Sequence, residues 1–99
     1  MSAPAPPAQR IDKWLWHARF FRTRSTATAA VASGHIRVSH GAATRRVGRA
    51  SFAVRPGDIL TIPQAGTVRV VRVVELAERR GPASTARRLY EEVAGVAGD

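Results

Sequence analysis

The chain has 99 residues, a hydrophobic fraction of 44% and a formal net charge of +9 at pH 7. That length holds one small domain with a modest core, and so much positive charge on it points to polyanionic partners. Cysteine is absent, which excludes disulfides, thiolate nucleophiles and cysteine zinc sites, and no apolar run is long enough to span a membrane.

Residues 1–9 contain Pro4, Pro6 and Pro7 and read as a disordered or extended lead-in. They lack the apolar core of a signal peptide, so a cytoplasmic protein is expected. A helix is predicted over residues 10–20, because Ile11, Trp14, Leu15 and Ala18 recur at the spacing of one apolar face. Arg10, Lys13 and His17 share a second face of that helix, which is cationic. The next stretch, FFRTRSTATAAVASG, predicts a short second helix capped by Thr23, with Ala27, Ala30 and Val31 turned to the core and Gly34 ending it. Its first turn carries Arg24, with Arg22 just before the cap. Orphan backbone N–H groups, the helix dipole and full charges converge there, as a phosphate seat requires.

Beyond Gly34 the periodicity changes to two. Strands are predicted at 36–38, 51–54, 58–62 and 67–76, forming a small curled sheet. Turn signals separate them at His40-Gly41, at Pro56-Gly57-Asp58 and over residues 63–66. In the longest strand Val68, Val70 and Val74 share a face with Arg72, and Val71 and Val73 take the other. The loop between the first two strands carries Arg45, Arg46 and Arg49 without an acid. A final helix is predicted over 82–93, with Pro82 at its start and Ala86, Leu89, Tyr90 and Val93 on its apolar side.

The distribution of charge says more than its total. From residue 1 to 57 ten Lys or Arg face a single acid, Asp12, whereas from 58 to 99 six basic residues meet six acids. Arg is the better phosphate fork, but a GC-rich genome also favours Arg, so the clustering carries the argument. A surface bearing Arg10, Lys13, Arg19, Arg22, Arg24, Arg37, Arg45, Arg46 and Arg49 would bind nucleic acid by counterion release; the plainer alternative is a solvated face that keeps the protein soluble. Trp14, Trp16, Phe20 and Phe21 interleave with these cations, which suits base stacking or ordinary packing. Trp14, Phe52 and Tyr90 are read as packed, and Trp16 is left open between the two.

Catalytic signatures are missing. No GxSxG, HExxH, P-loop or GxGxxG pattern occurs, and the carboxylates are too scattered for a paired acid and base. His17, His35 and His40 have no partners at zinc-site spacing. A non-enzymatic protein with no metal and no cofactor is expected.

The run RIDKWLWHARFFRTRSTATAAVASGHIRVS resembles the ribosomal protein S4 type of RNA-binding domain. The matching features are the Arg-Ile-Asp opening at Arg10, the Thr23-Arg24 helix start, Gly34 at its end and the strand beginning at Ile36; the turn at Pro56-Gly57-Asp58 also matches. KWLWHARFFRTR at 13–24 and ERRGPASTARRLYEE at 78–92 are similar to the bacterial ribosome-associated heat-shock protein fifteen family. The two resemblances together cover residues 10–92.

They imply an α+β fold, with two N-terminal helices packed on a small, curled, mostly antiparallel sheet and a short C-terminal helix. Residues 10–76 would form the RNA-binding domain and 77–99 a C-terminal segment. The implied partners are ribosomal RNA and the large ribosomal subunit, with the tRNA of a stranded nascent chain, in rescue or recycling under heat stress. Arg10, Lys13, Arg22, Thr23, Arg24, His35 and Arg37 would contact phosphates and sugars, with Arg45, Arg46 and Arg49 as a mobile arm, and the protein would act as a monomer. Phosphate contacts alone do not separate RNA from DNA.

Three departures stand out. Thr26 replaces an acid of the family's capping box, and Thr28 takes a position in the RNA-binding set where the family commonly offers a cation. Ser39-His40-Gly41 replaces an Asn-Gly turn, predicting a looser hairpin. The basic C-terminal extension of relatives is not matched before Asp99. A rival reading is a regulatory or protein-interaction module, derived from an RNA-modification or tRNA-synthetase accessory domain, that docks on a protein through RRGPAS with Arg79 and Arg80.

Overall fold

A computed structural model describes residues 7–93. The elements in chain order are β1 (Gln9–Arg10), α1 (Ile11–His17), α2 (Arg24–Ala32), β2 (Ile36–His40), β3 (Ala43–Val47), β4 (Ala53–Val54), β5 (Ile59–Gln64), β6 (Thr67–Val73), α3 (Ala83–Ala86), one 3₁₀ turn (Arg87–Leu89) and β7 (Tyr90–Glu92). The main sheet is antiparallel in the order β3-β2-β5-β6-β7, and β1 pairs with β4 as a separate two-stranded ribbon. The fold class is α+β, as the sequence predicts. Most of the predicted lead-in lies outside the described residues, but Gln9 is paired with Val54.

One core lies between the helices and the sheet. Ile11, Trp14 and Leu15 of α1 and Ala27 and Val31 of α2 meet Ile36, Val38, Val47, Leu60, Ile62, Val71 and Val73. The period of α1 therefore packs as predicted, but the helix stops at His17 rather than at residue 20. Arg19 takes the left-handed conformation, φ 64°, and the amide of Phe20 donates to the Leu15 carbonyl at 3.0 Å. This closure turns Phe20 back beneath Trp14, with ring centroids 6.0 Å apart. The second helix follows its local signals: the Thr23 hydroxyl accepts from the Thr26 amide at 3.1 Å, and Gly34 ends it at φ 81°.

Several strands differ from prediction. Residues 43–47 form β3, and the hairpin closes through Gly41 and Ala42 with five register pairs from Ile36↔Val47 to His40↔Ala43, so it is tight and not loose. β5 runs on through Pro63 and Gln64, leaving Ala65 and Gly66 as the turn. Both have positive φ, 51° and 82°, the combination whose twist suits a two-residue hairpin. The predicted strand at 51–54 shrinks to β4 and pairs with β1, outside the main sheet. The short C-terminal helix is present but is confined to α3 and the 3₁₀ turn, and the rest of the predicted 82–93 segment forms β7. Tyr90–Glu92 instead adds an edge strand to β6, because the carboxylates of Glu91 and Glu92 meet the guanidinium groups of Arg72 and Arg69.

His17 also contradicts prediction. It is buried, not part of a cationic face, beneath the segment that follows β6. Burial pushes its pKa below 6.5, and the charges of Lys13, Arg24 and Arg80 add to the effect, while the Ala77 carbonyl opposes it. The unfolded chain therefore binds the proton more readily than the folded one. Stability from the neutral ring is present above 6.5 and falls as pH drops below that value. The urea midpoint is expected to fall between about pH 7.5 and pH 5.5, and His17→Leu is expected to flatten that fall. Equal slopes in wild type and variant would contradict it.

Candidate nucleic-acid interface

The interface is organised around the one acid in the basic half of the chain. Asp12 is 1% exposed at the start of α1, with Oδ2 meeting residues of α2. Arg10 grips both oxygens, Nε to Oδ1 and Nη2 to Oδ2, each at 3.1 Å. The Thr28 hydroxyl donates to Oδ2 at 2.9 Å, and Arg24 Nε stands 3.8 Å from the same oxygen. Burial raises the carboxyl pKa, but the hydrogen bonds from Arg10 and Thr28 and the charges of Arg10 and Arg24 outweigh it, leaving Asp12 below its ordinary value of 3.8. A buried carboxylate thus fixes two exposed guanidinium groups, one from the strand that leads into α1 and one from α2, side by side.

The stability supplied by this anion is present above pH 3.8 and lost as pH falls through the depressed value. Asp12→Asn is expected to lower the urea midpoint at neutral pH, with the difference from wild type shrinking in acid. A difference that persists unchanged at about pH 2 would show that the charge is not what matters.

Around this centre lie the other helix cations. Lys13 and Arg24 are both close enough to His17 to lower its pKa, which brings α1 and α2 charges together. Arg22 is exposed before the cap. Thr23 is occupied by its own helix, accepting from the Thr26 amide and sharing a 2.7 Å hydrogen bond with the Thr26 hydroxyl. The Thr26 hydroxyl meets the Thr23 hydroxyl and not the Thr23 amide, so the half of a capping box that an acid at 26 would supply is missing.

The hairpin continues the surface. Arg37 of β2 stands directly opposite Arg46 of β3, and next to them Ser39 and Thr44 share a 2.8 Å hydrogen bond. The stem of Arg46 passes the end of α2, its Cδ lying 3.7 Å from where a Cβ on Gly34 would be. His35 is exposed at the same helix end, with Nδ1 3.1 Å from the Ser33 hydroxyl. Arg45 is paired with Val38 and belongs to the other face of the hairpin. Arg45 and Arg46 are therefore strand residues and not part of a mobile arm; only Arg49 lies beyond β3. A groove of about 380 Å³ runs between Arg37, Thr44, Arg45 and Arg46.

The lone acid gave the only signal for this arrangement, and sequence reasoning did not use it to join Arg10 to Arg24. Another element has a different role from that read in the sequence. Arg80 of the RRGPAS segment donates to the carbonyls of Trp16 at 3.0 Å and Phe21 at 3.4 Å, and its guanidinium lies over the Trp16 ring. Arg19 reaches the Gly81 carbonyl at 2.9 Å. The segment thus braces the end of α1 and is not free to dock elsewhere through Arg80; Arg79 remains exposed. Trp16 is half-buried beneath that brace. Among the described residues no group of three or more His, Asp or Glu could hold a metal ion, and no helix is long and apolar enough to cross a membrane.

The model of the S4 domain family matches residues 9–60. Heat shock protein 15 of Escherichia coli (strain K12) is 38% identical over 85 residues, covering 86% of this chain and 60% of that protein. The heat shock protein 15 homolog of Aeromonas salmonicida is 39% identical over 83 residues, covering 84% of this chain and 59% of that protein. Small ribosomal subunit protein uS4 of Bradyrhizobium is 33% identical over 76 residues, covering 75% of this chain and 35% of the relative. The structure of Vibrio cholerae heat shock protein 15, described as trimeric, superposes with a TM-score of 0.76 at 32% identity, covering 89% of this chain and 84% of that one. The chain spans about three fifths of the length of the curated heat shock protein 15 relatives.

Proposed function

This chain belongs to the S4-domain family, and within it to the heat shock protein 15 group, and on that premise we propose that it is a ribosome-associated RNA-binding protein. One observation carries the reading: residues 10–49, which form α1, α2, the β2–β3 hairpin and their flanks, carry nearly all the excess charge of the chain, and the one acid among them is buried and used to fix Arg10 and Arg24. Such a surface binds phosphates without chemistry on them.

In this reading Arg10, Lys13, Arg22, Arg24, Arg37, Arg45, Arg46 and Arg49 hold phosphates. His35 offers its free ring nitrogen to the backbone, and Thr23 and Thr28 set the helix start and the Asp12 cluster. Residues 10–76 form the RNA-binding unit, and the segment from 77 braces it through Arg80. The RNA is ribosomal RNA of the large subunit carrying a stalled nascent chain on tRNA, and the role is rescue or recycling of that subunit in the cytoplasm under heat stress. Each copy has the full set of cations, so a monomer suffices.

Sedimentation of a tagged copy through a sucrose gradient tests the proposal. It is expected to travel with free large subunits and to leave that fraction after ribonuclease treatment. Travel with light protein fractions, or with large subunits irrespective of ribonuclease, would contradict it. Analytical ultracentrifugation of the free protein tests the monomer; a trimer, as described for the Vibrio cholerae relative, would overturn that part alone.

A further inference from the structure

The hairpin face opposite Arg37 and Arg46 borders a cavity of about 390 Å³ that the proposed function leaves unused. Val38 and Phe52 belong to its apolar lining, and Arg45, Arg55, His40 and Asp58 to its polar lining. Phe52 is fixed through its backbone, accepting from the Ile11 amide at 2.7 Å and donating to the Arg49 carbonyl at 3.0 Å. Asp58 is buried, with one oxygen accepting from the Arg55 amide at 3.0 Å and the other 2.6 Å from Nδ1 of the exposed His40. That contact holds the exposed His40 ring in one orientation at the edge of the cavity. Arg45 and Arg55 have no ion-pair partner among the described residues.

An aromatic wall, a fixed ring edge and two unpaired guanidinium groups make a combination that suits one unpaired nucleotide: a base to stack, an edge to read and a phosphate to hold. The volume lies near the lower end of the roughly 300–1,000 Å³ of small-ligand sites, which suits one nucleotide better than several. Arg45 joins the cavity to the cationic surface, since it also lines the groove of Arg37 and Arg46 and a second groove that includes Arg49.

We propose that this cavity receives a single unpaired nucleotide flipped out of the bound RNA. The inference rests on the RNA-binding reading and deepens it by naming the element recognised, a duplex interrupted by one bulged nucleotide.

The test uses the full chain and two RNA hairpins with the same stem, one carrying a single bulged adenosine. Wild type is expected to bind the bulged hairpin about five-fold or more tightly, the lower end of what stacking one base contributes. Phe52→Leu, which keeps an apolar side chain but removes the aromatic face, is expected to lose that preference while retaining affinity for the unbroken stem. Arg55→Gln, an exposed position whose backbone bond to Asp58 survives the change, is expected to reduce the preference. A fluorescent adenine analogue in the bulge is expected to be quenched by wild type and not by Phe52→Leu. Equal affinity of wild type for the two hairpins, or an unchanged preference in Phe52→Leu, would overturn the cavity assignment and leave the RNA-binding reading standing. Binding to neither hairpin would contradict that reading itself. A free nucleoside monophosphate bound as tightly as the bulged hairpin would assign the cavity to a soluble nucleotide and overturn the proposal.

Discussion

Replacing Arg37 and Arg46 together by alanine is expected to weaken RNA binding by about ten-fold or more while leaving the melting temperature unchanged or slightly raised. The two side chains face one another across the β2–β3 pair, and neither has a hydrogen-bond or ion-pair partner among the described residues. Like charges directly opposite in a sheet destabilise it, so the folded chain gains nothing from them on its own. A polyanion reverses the sign, because each guanidinium then meets a phosphate. Loss of two phosphate contacts is expected to reduce the slope of log affinity against log salt by roughly 1.4–1.8, at about 0.7–0.9 per contact. Filter binding over a salt series, with thermal melting of the same preparations, checks both halves. Unchanged affinity and slope would remove the hairpin from the interface, and a large fall in melting temperature would show a structural role instead.

Trp14→Ala is expected to do the reverse. The indole is fully buried between α1 and the sheet, its ring lies against Phe20, and its Nε1–H donates to the Glu75 carbonyl at 2.9 Å. Truncation leaves a cavity and removes that hydrogen bond. Changes of this kind cost about 3–5 kcal/mol, a large part of the roughly 5–15 kcal/mol that holds a domain together. For a chain of this size the melting temperature is expected to fall by about 15 °C or more. RNA affinity measured well below that transition is expected to stay within about two-fold of wild type, since Trp14 does not reach the cationic surface. A small melting shift would mean that the contact between α1 and the sheet is not the centre of the core.

The features legible in the sequence are those set by local chemistry. Thr23 and Gly34 mark the ends of α2 because a side-chain cap and a left-handed glycine act within one turn. The apolar spacing that includes Trp14 and Leu15 places α1 against the core for the same reason. What escaped prediction depends on residues far along the chain. His17 has the spacing of a cationic face, but the segment around Ala77 covers it. Tyr90–Glu92 is too short to announce a strand, and only pairing with β6, some twenty residues earlier, makes it one. Residues 43–47 offer a single buried side chain, Val47, so their alternation is nearly invisible until β2 lies beside them.

The interface shows the same division. Its cations were countable, and the seat at Thr23 and Arg24 could be placed from helix geometry. The joining of Arg10, Arg24 and Thr28 through Asp12 required α1 and α2 to meet. The opposition of Arg37 and Arg46 required the register of a hairpin read from sequence as strand and loop.

Crosslinking of the full chain to ribosomes, with identification of both the crosslinked peptides and the RNA, tests the central claim most directly. The expected result is crosslinks confined to α1, the start of α2, the β2–β3 hairpin and the segment that follows it, from Arg10 to Arg55, on ribosomal RNA of the large subunit. Crosslinks clustered on β6 and β7, or captured ribosomal protein without RNA, would contradict it.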